Sequence, residues 1–211
     1  MNTVHWASAI EFPLTEATPV GAELVLRSER LVLRPLRDDD RAEWLASERA
    51  NAEFWRSTMP ALDPGVALED RWRQQLERSG AALRSGTGVR LAAFDADQFV
   101  GSINLNQIAR GVFMNAALGW RVTRAAEGRG LAFEMVGRAI DYAFAGPPLG
   151  LGLHRVEANI MPDNERSLRL AARLGLRREG LALRMLKIAG EWRDHVVHAK
   201  LADEHEAGQS R

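Results

Sequence analysis

Hydrophobic positions follow two spacings along the chain, and the changes between them divide it into strands and helices. Alternation of apolar and polar residues is typical of a half-buried strand and predicts strands over residues 24–34 (with a kink at 28–29), 89–94, 99–105, 116–122, 154–160, 181–188 and 192–201. Apolar residues three and four positions apart are typical of a helix with one buried face and predict helices beginning near Asp38, Leu68, Leu131 and Asp163.

The order of these elements predicts one α/β domain with a mixed sheet of about seven strands and helices on both faces. Residues 1–22 show no clear period and are expected to form an N-terminal extension, while residues 203–211 are polar and are expected to form a C-terminal tail. The domain itself is therefore predicted over residues 23–202, with no internal repeat or linker.

Composition narrows the classes of function. Lys plus Arg number 28 and Asp plus Glu number 28, so no net charge draws the chain to nucleic acid or an anionic membrane. The most apolar stretch, residues 131–153, contains Glu134, Arg138 and Asp141 and is predicted to be a helix with a turn rather than a membrane span. The N-terminus lacks a basic head followed by an apolar run, so no secretory signal is predicted, and we expect a cytoplasmic protein.

The chain contains no cysteine. That absence excludes disulfide bonds, cysteine-ligated zinc and a thiol nucleophile, and no other pattern predicts a metal site. An acyl transfer by this chain would therefore proceed without a cysteine-bound acyl intermediate.

One segment has the pattern of an anion-binding turn. Residues 121–132 run from a strand through the turn Glu127-Gly128-Arg129-Gly130 into a helix. Glycines let the backbone approach a ligand closely, and a helix N-terminus offers unpaired N–H groups that suit a diphosphate. Arg124 and Arg129 can add charge-assisted hydrogen bonds. Taken alone, such a turn is more often an ordinary glycine turn into a helix.

Later motifs follow this turn in an order that resembles a known superfamily. Asn164-x-x-Ser167 comes next, and Leu174-Gly175-Leu176 ends the following helix. With Glu127-x-x-Gly130-x-Ala132, this order resembles the GNAT superfamily of N-acetyltransferases, whose coenzyme A loop reads Gln/Arg-x-x-Gly-x-Gly/Ala. The blocks 30–35, 118–120, 127–134, 153–159, 161–167 and 190–195 resemble more closely the RimJ/RimL type of ribosomal-protein N-acetyltransferase.

The resemblance implies a mostly antiparallel sheet in which strands 116–122 and 154–160 are parallel and splay into a wedge for the pantetheine arm of acetyl-CoA. It implies that pantetheine pairs with the backbone of Trp120 and Val122, and that Asn164 bonds the pantetheine or the acetyl region. A helix cap is the other reading of Asn164. The remaining cofactor contacts implied are Glu127, Gly128, Arg129, Gly130, Leu131, Ala132 and Ser167.

Two positions depart from the usual GNAT pattern. Glu127 stands where Gln or Arg is usual, and a carboxylate beside a diphosphate is unfavourable at short range. Its side chain is therefore expected to face solvent or to pair with Arg124 or Arg129, with weaker cofactor binding as a consequence. Ala171 stands where many members carry a Tyr as general acid, and the RimJ/RimL branch also lacks that Tyr.

The predicted catalytic residues are Ser167, Asn159 and Glu157. We expect direct attack of an amine on the thioester, with Ser167 donating a hydrogen bond to the departing thiolate. Glu157 and Asn159 share one face of a strand, and either could hold a water that takes the amine proton. An ion pair of Glu157 with Arg155 or Arg121 is the favoured alternative.

Other residues near the expected site have less specific readings. The histidines at 154, 195 and 198 are interpreted as structural, with Asp194 bonding Arg193 or His195. The apolar loop residues Phe54, Trp55 and Met59 either border the acceptor groove or pack as a hydrophobic plug over the helices.

The expected acceptor follows from the pKa values of amines. An α-amine has a pKa of ~7.7 to 8.0 and a lysine amine one of ~10.4, so a chain without an obvious base fits an α-amine better. We therefore expect a protein N-terminus, such as that of a ribosomal protein, and a monomer or homodimer. The alternatives are a small amine (antibiotic, polyamine or amino acid) and a non-catalytic acyl-CoA-binding module. A Rossmann-type nucleotide binder is disfavoured because Gly-x-Gly-x-x-Gly is absent.

Overall fold

Eight strands form one sheet in the order β1-β2-β3-β4-β5-β6-β8-β7. The computed structural model describes residues 24–61 and 63–209, so the predicted extension over residues 1–22 lies outside the described residues. All neighbouring strands are antiparallel except β5 and β6, which are parallel. The strands are β1 Leu26–Arg27, β2 Leu31–Arg34, β3 Val89–Asp95, β4 Gln98–Ala109, β5 Asn115–Val122, β6 Arg155–Ile160, β7 Arg177–Ile188 and β8 Glu191–Leu201.

Helices cover both faces of this sheet. Along β3, Leu91 and Ala93 belong to the larger hydrophobic core with α3, whereas Ala92 and Phe94 pack with the tryptophans of α1 and α2. Successive side chains of a strand point to opposite faces, so α3 and the α1–α2 pair lie on opposite sides. The helices are α1 Arg41–Trp55, α2 Leu68–Ser85, α3 Leu131–Phe144, α4 Glu165–Arg173 and α5 Ala202–Gln209. The predicted α/β class is confirmed.

The first predicted strand is wrong in form, because residues 24–34 fold as a β-hairpin. Leu26 pairs with Leu33 in antiparallel register, and the backbone N–H of Ser28 donates to the carbonyl of Leu31 at 3.0 Å. The polar residues read as a kink are the turn of this hairpin, which brings the number of strands in the described sheet to eight.

Two features of the C-terminal half differ from the prediction: the residue that caps α4 and the predicted polar tail. The N-cap of α4 is Asn164 and not Asp163, since the Asn164 side chain accepts the backbone N–H of Ser167 at 3.2 Å. Residues 203–209, predicted as part of a polar tail, belong to α5. The ring of His205 lies 2.8 Å from the Asp141 carboxylate on α3, so α5 is held by tertiary contacts that its own polar pattern does not reveal.

A buried carboxylate fixes the hairpin to the start of α3. Glu134 is 2% exposed and accepts hydrogen bonds from the Ser28 hydroxyl (2.6 Å), the Arg30 backbone N–H (2.7 Å) and the Arg30 Nε (2.8 Å). Burial alone would raise the pKa of Glu134, but these hydrogen bonds and the charge of Arg30 outweigh it and hold the pKa below its usual value. No helix in the described part of the chain is long and apolar enough to cross a membrane.

Candidate active site

The parallel strands β5 and β6 separate part of the way along their length. They pair from Asn115 with Arg155 to Leu118 with Ala158. Beyond that point β5 stays on β4 as far as Val122, and β6 stays on β8 as far as Ile160. The wedge predicted between these two strands is therefore present.

Backbone groups of β5 point into this wedge. The N–H of Thr123 donates to Val100 of β4 at 2.9 Å, so by alternation the N–H and C=O groups of Trp120 and Val122 point away from β4. One of them is already satisfied, because the Val122 carbonyl accepts the indole N–H of Trp55 at 2.8 Å. The Trp120 backbone and the Val122 N–H remain directed at the wedge, where they fit the amides of a pantetheine arm.

The glycine turn after β5 leaves a row of backbone donors at the start of α3. Gly128 and Gly130 adopt left-handed φ values of 70° and 79°, which favour glycine. Within the described part of the chain, no hydrogen bond is made by the backbone N–H groups of residues 128–132. Five such donors around a helix N-terminus fit a diphosphate.

The side chain of Glu127 has a different partner from those expected. Its carboxylate pairs with Arg166 on the first turn of α4. Arg129 instead pairs with Asp95 at 2.7 Å, and the Arg124 guanidinium lies over the Phe54 ring at 5.4 Å. The predicted pairing with Arg124 or Arg129 is therefore wrong, and the negative charge of Glu127 is offset by a residue 39 positions later in the chain.

A cleft of about 690 Å³ lies between the sheet and the α1–α2 pair and includes the wedge. Four of the predicted catalytic and cofactor-binding residues line it: Trp120, Asn159, Asn164 and Ser167. The loop of residues 127–132 does not line the cleft and lies beside its wedge end. The structure thus separates a loop with backbone donors from a cleft lined by side chains.

Three polar side chains in the cleft have unused hydrogen-bonding capacity. The buried Oδ1 atom of Asn159 has no hydrogen-bond partner among the described residues. The Oδ1 atom of Asn164 caps α4, which confirms the cap reading and leaves its NH₂ group to donate elsewhere. Ser167 is half-buried beside it. These groups can bind a ligand in the wedge.

Glu157 is not among the residues that line the cleft. Its carboxylate lies 3.4 Å from Arg155, which also binds Glu179 at 2.5 Å. The ion pair with Arg155 that the sequence favoured is therefore present, and the role of Glu157 in holding a water stays a prediction.

His195 lines the cleft, although the sequence favoured a structural role for it. It is 2% exposed, and its Nδ1 lies 3.0 Å from the Arg193 carbonyl. A carbonyl only accepts, so Nδ1 carries a hydrogen, and in the neutral ring this leaves the lone pair on Nε2. Register places His195 on the face of Asn159, because Asn159 pairs with Val197, two residues on.

The expected bonds of Asp194 to Arg193 or His195 are wrong. Asp194 accepts the backbone N–H of Arg184 at 2.7 Å, and Arg193 pairs with Asp163 at 2.6 Å. Arg184 lies in an irregular part of β7, where residues 182–186 face residues 193–195 of β8. In the sequence, His195 belongs to the block at 190–195 that resembles the RimJ/RimL type. The alternation of apolar and polar residues along this strand does not show which of its faces meets the cleft.

Phe54 and Trp55, expected in a loop, are the last two residues of α1. Together with Met59 they divide between the two roles considered for them. Trp55 is 5% exposed and belongs to the core under α1 and α2, and Phe54 packs against the same core. Met59 borders the cleft, and its carbonyl accepts the backbone N–H of Ala189 at 3.1 Å. The loop after α1 is thereby tied to the turn between β7 and β8 across the cleft.

Comparison with known proteins identifies this arrangement. The model of the acetyltransferase (GNAT) domain family matches residues 30–177. The chain belongs to the GNAT acetyltransferase family. The predicted superfamily and the prediction that the chain is an acyltransferase enzyme are confirmed, whereas the domain bounds at 23 and 202 stay predictions.

Ribosomal-protein acetyltransferases are among the similar proteins. The [ribosomal protein uS5]-alanine N-acetyltransferase of Escherichia coli (strain K12) is 33% identical over 82% of this chain and 89% of that protein. The probable N-acetyltransferase YjcK of Bacillus subtilis (strain 168) is 32% identical over 86% and 99%.

The chain is also similar in three dimensions to a solved structure. Mycobacterium smegmatis RimJ in complex with CoA-disulfide is 28% identical, covers 86% of this chain and 88% of its own, and superposes with a TM-score of 0.76. The expected cofactor, acetyl-CoA, agrees with the coenzyme A of that complex.

Proposed function

We propose that this GNAT enzyme transfers the acetyl group of acetyl-CoA to the α-amine at the N-terminus of a protein, such as a ribosomal protein. The observation that carries this proposal is the charge of the cleft. Glu48 is the one carboxylate among the described residues that line it, and it is paired with Arg121. Three further arginines, Arg71, Arg78 and Arg90, also line it.

A positively charged cleft selects against acceptors that carry several amines. Polyamines and aminoglycosides are polycations, so they would be repelled by these arginines and would find no free carboxylate. A polypeptide N-terminus brings a single α-amine, and the side chains that follow it need not be cationic. The 33% identical uS5-alanine N-acetyltransferase supports the same acceptor class.

Acetyl-CoA supplies the activated acetyl group and a thiolate leaving group. The turn at residues 127–130 and the first N–H groups of α3, at Leu131 and Ala132, would hold its diphosphate. The Trp120 backbone, the Val122 N–H and the Asn164 NH₂ group would hold the pantetheine arm. The reaction replaces the thioester C–S bond with an amide C–N bond and moves one proton from the amine to the sulfur.

The residues of the cleft supply a route for that proton. The Nε2 lone pair of His195 would accept it from the amine as the C–N bond forms. The unpartnered Oδ1 of Asn159 would orient the amine or a water between the amine and His195. The Ser167 hydroxyl would donate a hydrogen bond to the sulfur as the C–S bond breaks. Glu157, on the same face, remains an alternative site for the water.

The test is thiol release from acetyl-CoA with a panel of acceptors. Short peptides with free N-termini are compared with the same peptides blocked at the N-terminus, and with polyamines and aminoglycosides. Release that needs a free α-amine supports the proposal. Release with small amines alone would replace it with a small-molecule acetyltransferase. Tight acetyl-CoA binding without release for any acceptor would favour the acyl-CoA-binding module.

A further inference from the structure

A polar groove leads from the wedge towards α2, away from the loop that fits the diphosphate. On α2, the residues lining the cleft are Arg71, Gln74, Gln75 and Arg78. Their spacing of three and four places them on one face of the helix. On the sheet below, Arg90 of β3 pairs in register with Asn104 of β4, and Asn104 pairs with Gly119 of β5. The cleft is therefore continuous from Gly119, at the wedge, to Arg90.

The arginines of this groove have no carboxylate partner among the described residues. Arg71 donates to the Asp63 backbone carbonyl at 2.7 Å, and Arg78 donates to the Gln74 amide oxygen at 3.3 Å. Burial and the nearby positive charge of Arg78 lower the pKa of Arg90. Two like charges close together in a half-buried groove are unfavourable unless an anion joins them.

This basic cluster is too far from the diphosphate loop to belong to the coenzyme A site. Arg129 of that loop pairs with Asp95, at the opposite end of β3 from Arg90. Five residues of strand separate Asp95 from Arg90, which is about 17 Å at the rise of a β-strand. An anion at Arg90 is therefore a group on the acceptor.

The distance to the wedge limits where that group lies on the acceptor. Gly119 is two strands away from Arg90, so their backbones are about 10 Å apart. An extended peptide spans about 3.3 to 3.6 Å per residue. An amine at the wedge thus brings the side chains of the second to fourth acceptor residues near the arginines.

We propose that Arg90, with Arg78 and Arg71, binds a carboxylate on the acceptor polypeptide and so selects N-termini with Asp or Glu at the second to fourth residue. Paired arginines bind a carboxylate through charge-assisted hydrogen bonds, and Gln74 and Gln75 can bond the peptide backbone beside it. This inference rests on the proposed function, since it names the acceptor class of the same cleft.

The experiment uses matched peptides on the full chain. Each peptide begins with the same free α-amine and carries Asp or Asn, or Glu or Gln, at one of positions 2, 3 and 4. We expect kcat/KM to be about 10-fold or more higher for the acid than for its amide at one or more positions. The preference should shrink as salt is raised. Equal rates for acid and amide at every position would overturn the inference.

Two variants separate the arginines from general effects of charge. Arg78→Gln, at an exposed position on the cleft face of α2, and Arg90→Gln should each reduce the acid preference. Arg84→Gln is the matched control, because Arg84 lies on α2 but does not line the cleft. If Arg78→Gln and Arg90→Gln are folded and keep the full preference, the assignment is wrong.

Equilibrium binding distinguishes this inference from the proposed function. The same peptides, labelled at their C-termini, are titrated with the protein and followed by fluorescence anisotropy. If no peptide is acetylated but the acidic ones still bind more tightly through Arg78 and Arg90, the proposed function fails and the carboxylate site stands. If peptides are acetylated without any acid preference in rate or binding, the proposed function stands and the carboxylate site fails.

Discussion

The indole Nε1 of Trp55 donates a 2.8 Å hydrogen bond to the carbonyl oxygen of Val122, the last residue of β5. This contact joins the end of α1 to the open end of the wedge. The Arg121 guanidinium stacks on the same indole at 4.0 Å and pairs with Glu48 of α1. A side chain from the other face of the cleft thus binds one of the β5 backbone groups at the open end of the wedge.

Trp55→Phe should lower the free energy of unfolding by about 1 to 2 kcal/mol beyond the loss of ring packing, because the Val122 carbonyl loses its partner. Trp72→Phe is the matched control, since Trp72 is 3% exposed and its indole N–H makes no hydrogen bond among the described residues. Urea unfolding of both variants measures the difference. Equal losses would show that the hydrogen bond contributes little.

His195→Gln should reduce kcat by about 100-fold or more, as expected when a general base is removed. His198→Gln is the control, because His198 is also buried on β8 and contacts the carbonyl two residues before it at 3.3 Å, yet does not line the cleft. A folded His195→Gln enzyme with the wild-type kcat would exclude His195 as the base.

Ala132→Glu should weaken acetyl-CoA binding by about 10-fold or more, because it places a negative charge beside the diphosphate site. A carboxylate in the first turn of a helix is favourable, so the melting temperature should not fall. Ala46→Glu, at an exposed position of α1, controls for net charge. Calorimetric titration measures both. A pantetheine thioester without the diphosphate should bind the variant and wild type alike. If the variant weakened binding of this thioester as much as binding of acetyl-CoA, the diphosphate would lie elsewhere.

Glu127→Gln should tighten acetyl-CoA binding by about 3- to 10-fold, since it removes a carboxylate from the loop and frees Arg166 for the diphosphate. Arg166→Gln should weaken binding, because Glu127 then lacks its counter-charge. The double variant completes a cycle that gives the coupling between the two residues. Unchanged affinity in both single variants would place the pair outside the cofactor site.

Glu134→Gln should lower the free energy of unfolding at neutral pH by about 2 kcal/mol, because the buried hydrogen bonds lose a charged acceptor. The folded-state pKa of Glu134 lies below the unfolded one, so its contribution is fully present above the unfolded pKa and is lost as pH falls through the folded pKa. The variant should therefore lose less stability than wild type between neutral and acidic pH. Glu165→Gln, on an exposed pair with Arg169, should stay within about 0.5 kcal/mol of wild type. If Glu134→Gln and Glu165→Gln lost the same free energy of unfolding between neutral and acidic pH, the prediction would be contradicted.

Much of the cofactor side of the site could be predicted from the sequence. The helix Leu131–Phe144 begins and ends where its apolar stripe and flanking glycines predict. The parallel pair, implied by resemblance, has the register that opens the wedge next to Trp120. These features depend on neighbours in the chain: the period of a helix, the alternation of a strand and the conformational freedom of Gly128 and Gly130.

Contacts between distant parts of the chain were decided only by the tertiary structure. The partner of Glu127 is Arg166, 39 residues away, and the basic groove joins one face of α2 to Arg90 on β3. The orientation of His195 depends on which face of β8 meets the cleft, and the first strand proved to be a hairpin because β1 and β2 pair with each other. Local patterns specify elements and the residues on each face, whereas contacts between elements depend on strand order and packing. That is why the sequence by itself determined the family, the fold class and the glycine turn before α3, and only the folded chain brought together the basic side chains of the cleft.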